Sequence, residues 1–91
     1  MVGTPASPFE LPFGAALRRL RLAAGLSQAQ LGLESDVQRN FISLIETDQN
    51  QPTISTIAKL AQALGMKASE LVAEAEREGH TAQKTRRKAG Q

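Results

Sequence analysis

Residues 26–47 read LSQAQLGLESDVQRNFISLIET, and the fold turns on how this stretch divides. Ser27 and Gln30 stand at the spacing of a capping box, in which the Ser27 hydroxyl accepts from the Gln30 amide while the Gln30 side chain reaches back to the Ser27 amide. A helix therefore starts at Ser27 and runs to about Ser35. Asp36 and Val37 interrupt its pattern. From Gln38 to Thr47 the apolar residues Phe41, Ile42 and Ile45 recur at helical spacing and predict a second short helix.

Working outward, Phe13, Leu17, Leu20 and Ala24 form an apolar stripe interleaved with Arg18, Arg19 and Arg21, and Gly25 supplies a stop, so a first helix precedes the quoted stretch. Downstream, residues 48–52 (DQNQP) are a polar turn. Thr53 then caps a helix whose predicted apolar face is Ile54, Ile57, Leu60, Ala61 and Leu64, stopped by Gly65. A fifth helix opens at Ala68 or Ser69, carries Leu71, Val72 and Ala75, and is expected to end in its charges and Gly79. This organisation places an N-terminal arm at 1–12, a helical domain at 13–78 and a flexible basic tail at 79–91. Gly3, Pro5, Pro8 and Pro12 disfavour a helix in the arm. The tail has no large apolar residue with which to offset the entropy of ordering.

The chain of 91 residues has room for one domain with a modest core. Three Phe, with no Tyr or Trp, make that core aliphatic. The absence of cysteine excludes disulfides, thiolate zinc sites and cysteine nucleophiles, and fits a reducing cytoplasm. His80 is the one imidazole, and the carboxylates are scattered, so neither a catalytic triad nor a metal cluster can be assembled; no cofactor and no enzymatic activity are expected. No apolar run approaches the roughly 18–20 residues that cross a bilayer, so the expectation is a soluble cytoplasmic protein. Between Phe9 and Glu76 there are six basic and eight acidic residues, so the overall charge of +2 comes from the tail.

Two short helices separated by a few residues have the spacing of a helix-turn-helix, whose second helix enters the major groove of DNA. Leu26-Ser27-Gln28, Leu31, Val37, Ile42-Ser43, Ile45-Glu46, Pro52-Thr53, Leu60-Ala61 and Ala63-Leu64-Gly65 together resemble the phage repressor and Cro family, also called the XRE type. The resemblance covers about Phe13 to Val72. It implies an all-α, five-helix, lambda-repressor-like domain that reads double-stranded DNA with helix three, as a homodimer on a palindromic operator, and so a transcriptional regulator, by default a repressor. An antitoxin or a restriction-modification controller of the same fold, with another protein as partner, is the alternative. Two positions depart from the family pattern. Asp36 stands where Gly is usual, and Asp tolerates the left-handed backbone such a turn needs. Gly32 stands where Ala is usual, which keeps the position small but weakens the helix by about 1 kcal/mol.

Within that frame the residues of helix three opposite Ile42 and Ile45 are the base-reading candidates: Gln38, Arg39, Asn40 and Ser43, with Leu44 as a contact for a thymine methyl. Arg39 can donate twice to guanine O6 and N7, and Gln38 or Asn40 can pair with adenine N6 and N7. Gln28, in the first turn of helix two, and Thr47, Gln49, Asn50 and Gln51, after helix three, are the candidate phosphate contacts. Arg21 and Glu46 match positions that form a partly buried ion pair in some family members, and are assigned to structure. Leu71, Val72 and Ala75 form the candidate dimer interface. The basic residues Lys84, Arg86, Arg87 and Lys88 of the tail remain unassigned.

Overall fold

A computed structural model describes the backbone of residues 11–89 and the side chains of residues 11–79. Five helices follow in order: α1 Phe13–Ala23, α2 Gln28–Ser35, α3 Arg39–Glu46, α4 Ile54–Ala63 and α5 Ala68–Ala89. No strand occurs among the described residues. The arm, residues 1–10 of the predicted 1–12, lies outside the described residues.

The starts and stops follow local chemistry. Ser27 Oγ accepts from Gln30 N at 3.0 Å and Gln30 Oε1 accepts from Ser27 N at 2.8 Å, which closes the capping box of α2. Thr53 Oγ1 accepts from Thr56 N at 3.1 Å and caps α4. At the start of α5 Glu70 Oε1 accepts from Lys67 N at 2.8 Å. Asp36 closes α2 in the left-handed conformation, with φ at 60°. Gly25 and Gly65, at φ 76° and 73°, turn the chain after α1 and α4.

The core is aliphatic apart from Phe13. Ala16 and Leu17 of α1, Leu31 of α2, Ile42 and Ile45 of α3, Leu60 and Ala61 of α4, and Leu71 and Ala75 of α5 are buried together, with Val37 sealing the turn between α2 and α3. Helix α5 packs along α1 and α4, and α3 is held between α1 and α2. Helix α1 needs Gly14 to approach α3: a Cβ there would stand 2.7 Å from Glu46 O and closer still to Ile45 O. Pro12 precedes α1 and offers no side-chain cap. The cap comes instead from Asp48, whose Oδ1 accepts from Gly14 N at 3.2 Å and sets a carboxylate at the positive end of the α1 dipole.

Three expectations are corrected. Ile54, placed on the apolar face of α4, is 83% exposed, because the first residue past the cap precedes the turn that meets the core. Leu71 and Ala75, assigned to a dimer patch, are fully buried in the core of the single chain, so their surface is already used; Val72 is half-buried. Helix α5 does not end at Gly79 but continues to Ala89. Gly79 sits beside Pro12, where a Cβ would stand 3.3 Å from Pro12 Cδ, so it accommodates a close approach. The residues beyond it are mostly good helix formers, and their Lys and Arg fall in the last turns, where the helix dipole favours cations.

Candidate nucleic-acid interface

Helix α3 has two unlike sides. Its inner side carries Ile42, Ile45 and Glu46, all buried. Glu46 accepts twice from Arg21, from Nε at 2.6 Å and from Nη2 at 3.0 Å, in a bidentate pair whose side chains are 8% and 2% exposed. Arg21 Nη1 donates to Leu26 O at 2.9 Å, and the hydrogen bond to Glu46 holds the guanidinium pKa above its ordinary value against the opposing effect of burial. Glu46 also accepts from Gln28 Nε2 at 3.0 Å. One carboxylate thus joins the ends of α1, α2 and α3. Among the described residues no buried side-chain polar atom lacks a partner.

The outer side of α3 is of opposite character. Gln38, at the N-cap, and Arg39 and Asn40, in the first turn, are exposed. None of the hydrogen bonds among the described residues uses their side chains. Gln38 makes no cap bond, unlike Ser27 of α2 and Thr53 of α4. Ser43 and Leu44 lie half-buried one turn further on. The first turn of α3 therefore presents a guanidinium and two amides at neighbouring positions, with the helix fixed from behind.

The loop after α3 is tied to itself. The amides of Gln49 and Asn50 donate to Leu44 O at 2.8 and 3.3 Å, Thr47 Oγ1 donates to Ser43 O at 3.0 Å, and Gln49 Nε2 donates to Thr47 Oγ1 at 2.8 Å. The backbone amides from Thr47 to Asn50 are thus already spent, and these residues offer an anion their exposed side chains. Gln28 is half-buried and engaged with Glu46. Its amide nitrogen carries two hydrogens, so one remains for a phosphate.

Three features were outside the reach of sequence reasoning. Asp48 caps a helix from 34 residues away. Arg19 donates to Glu74 at 2.8 Å and to Glu78 at 3.3 Å, tying α1 to α5; this pairing raises the Arg19 pKa and lowers that of Glu74. Leu33, 85% exposed, borders a groove between α2 and α3 that reaches Gln38 and Arg39. No local sequence signal marks a pairing across such separations.

The family profile described as helix-turn-helix matches residues 17–71, which include all of α2 and α3 and the residues that clamp them. The chain belongs to the helix-turn-helix family of DNA-binding transcriptional regulators. The control protein C.BamHI of Bacillus amyloliquefaciens is 35% identical to this regulator over 63 residues, 68% of this chain and 78% of that protein. The restriction-modification controller protein C.AhdI from Aeromonas hydrophila is 39% identical, with a TM-score of 0.64 over 67% of this chain and 92% of that one. The clp gene regulator ClgR from Corynebacterium glutamicum shares the fold, with a TM-score of 0.82 over 93% of this chain and 90% of that one at 24% identity. Like other members of its family, this regulator binds double-stranded DNA and is not an enzyme. Among the described residues no helix is long and apolar enough to cross a membrane.

Proposed function

We propose that this regulator binds its operator sequence-specifically, as a homodimer whose paired copies of α3 enter two half-sites of a palindrome about one helical turn apart, and that it represses transcription by occupying the promoter. The observation that carries this reading is the contrast on α3: Gln38, Arg39 and Asn40 are exposed and uncommitted, while Ile42, Ile45 and Glu46 hold the helix rigidly from the other side. Arg39 is the guanine reader, Gln38 and Asn40 the adenine readers, and Ser43 the residue at the groove edge. Gln28, Thr47, Gln49 and Asn50 set register on the phosphates. With Leu71 and Ala75 buried, the dimer uses other surface, with the half-buried Val72 at its edge.

Within this class a controller of a restriction-modification system is favoured by one observation: the likeness to C.AhdI spans 92% of that protein, so the shared part is nearly the whole of a known controller. Such a protein works in the cytoplasm, beside the chromosome.

The test is selection from randomised duplexes followed by equilibrium titration of the parent and of Arg39→Ala. A palindromic consensus, with a loss of about 1–3 kcal/mol for Arg39→Ala at one position of each half-site, is the expected result. Binding that ignores sequence, or co-purification with a toxin-like second protein that abolishes DNA binding, overturns it.

A further inference from the structure

Helix α5 outlasts the core that holds it. Leu71 and Ala75 are fully buried, and Gly79 passes close to Pro12, the residue that opens α1. Beyond this point the helix continues through His80–Ala89, roughly 15 Å further at 1.5 Å per residue. This extension is unlike the rest of the chain. From His80 to Gln91 it carries Lys84, Arg86, Arg87 and Lys88 with no acidic and no large apolar residue, whereas residues 9–76 hold six basic and eight acidic residues.

Lys84, Arg87 and Lys88 are three and four residues apart, a spacing at which like charges repel and weaken a free helix. A polyanion would remove that cost. The extension also lacks the large apolar face needed to dock into an apolar protein groove or lie in a membrane surface, so its chemistry suits a polyanion such as a phosphate backbone. At helical spacing Lys84 and Lys88 share the face of Arg77, which at the root of the extension is 69% exposed and paired with Glu74 at 3.1 Å.

Its place in the fold decides which phosphates. Gly79 meets Pro12, and Gly14, two residues on, donates to Asp48 in the loop between α3 and α4. The extension therefore leaves the domain from the end that carries Thr47, Gln49 and Asn50. We infer that His80–Ala89 is a second DNA contact, a basic helical arm that takes backbone phosphates flanking the half-site read by α3. This rests on the proposed reading of α3, adding affinity without base specificity.

The experiment compares the full chain with a variant carrying Lys84→Gln, Arg86→Gln, Arg87→Gln and Lys88→Gln, which leaves the core untouched. Each is titrated across salt on three duplexes: the selected operator with a helical turn of flanking DNA on each side, the same operator trimmed to its half-sites, and an unrelated sequence. On the flanked operator the slope of log K against log salt should fall by about 7 in the variant, at roughly 0.9 for each phosphate no longer neutralised by the arms of the two protomers. The preference for operator over unrelated DNA should stay the same, and trimming should abolish the difference between parent and variant. Equal slopes with the operator preference intact would overturn the arm and leave the α3 reading standing. An equal drop on trimmed and flanked duplexes would overturn its placement on the flanks. A parent with no sequence preference, whose binding the variant loses, would overturn the α3 reading while retaining the arm as the DNA-binding element.

Discussion

The helix-turn-helix and the seam between α1 and α5 are built in opposite ways. In the first, the restraints that shape the helix start and the turn lie within a few residues: Ser27 with Gln30, Ser35 Oγ donating to Leu31 O at 2.6 Å, and Val37 N donating to Gly32 O at 3.1 Å around the left-handed Asp36. In the second the restraints join residues 55 and 59 positions apart: Arg19 with Glu74, and Arg19 with Glu78. The reading unit is therefore shaped locally, and the seam and the Arg21–Glu46 pair decide whether it is held in place. A short helix pair is marginal alone, and most of its stability comes from packing.

The largest effect should come from the pair that links the two regions. Glu46→Ala strands a buried guanidinium and should cost about 3–5 kcal/mol in urea unfolding. The double variant Arg21→Met with Glu46→Leu should recover most of the loss. If Glu46→Ala instead costs no more than a surface substitution, the two regions are not coupled through this carboxylate.

Next comes Gly14→Ala, which places a methyl against the carbonyls of Ile45 and Glu46. Forcing backbone apart at such a contact should cost about 1–3 kcal/mol, although alanine is the better helix former. A stabilised variant would show that α1 can shift freely on α3.

A closer comparison sets the long-range cap against the local one. Asp48→Ala and Ser27→Ala each remove the acceptor for a first-turn amide, and each should lower stability by about 1 kcal/mol. If their effects on stability match, the caps act alike regardless of sequence separation. Ser27→Ala should in addition weaken DNA binding if α2 holds the proposed phosphate contact at Gln28.

The smallest effect belongs to the exposed network on α5. Arg19 holds the Glu74 pKa below its ordinary value of 4.5, so this contribution is present above that value and is lost as pH falls through the lower, folded one. Glu74→Gln should leave stability at neutral pH nearly unchanged and flatten its fall on acidification below about pH 4.5. Parallel acid-unfolding curves for parent and variant would remove this pair from the seam.

Legibility in the sequence followed the same division. The starts of α2 and α4, the turn at Asp36 and the stops at Gly25 and Gly65 could be read because capping and left-handed turns are decided by residues within reach of one another. The outward side of α3 was readable for the same reason: once Ile42 and Ile45 are known to face inward, 3.6-residue periodicity puts Arg39 and Asn40 outside. Burial was less legible. Ile54 has the hydropathy of a core residue but precedes the first turn that meets the core, and Leu71 and Ala75 looked spare only because the depth of the groove between α1 and α4 is not a property of α5 itself. Gly79 resembled a stop, yet beside Pro12 it allows a close approach.

What the sequence by itself determined is the set of helices, the turn between α2 and α3, the family and the exposed side of α3, since these depend on local periodicity and on side-chain chemistry at fixed offsets. Only the tertiary structure decided that Asp48 caps α1, that Gln28 shares Glu46 with Arg21, that Leu71 and Ala75 belong to the core, and that α5 runs on past the domain. Each of these rests on surfaces brought together from distant parts of the chain, where packing and desolvation act between elements and leave no periodic trace within any one of them.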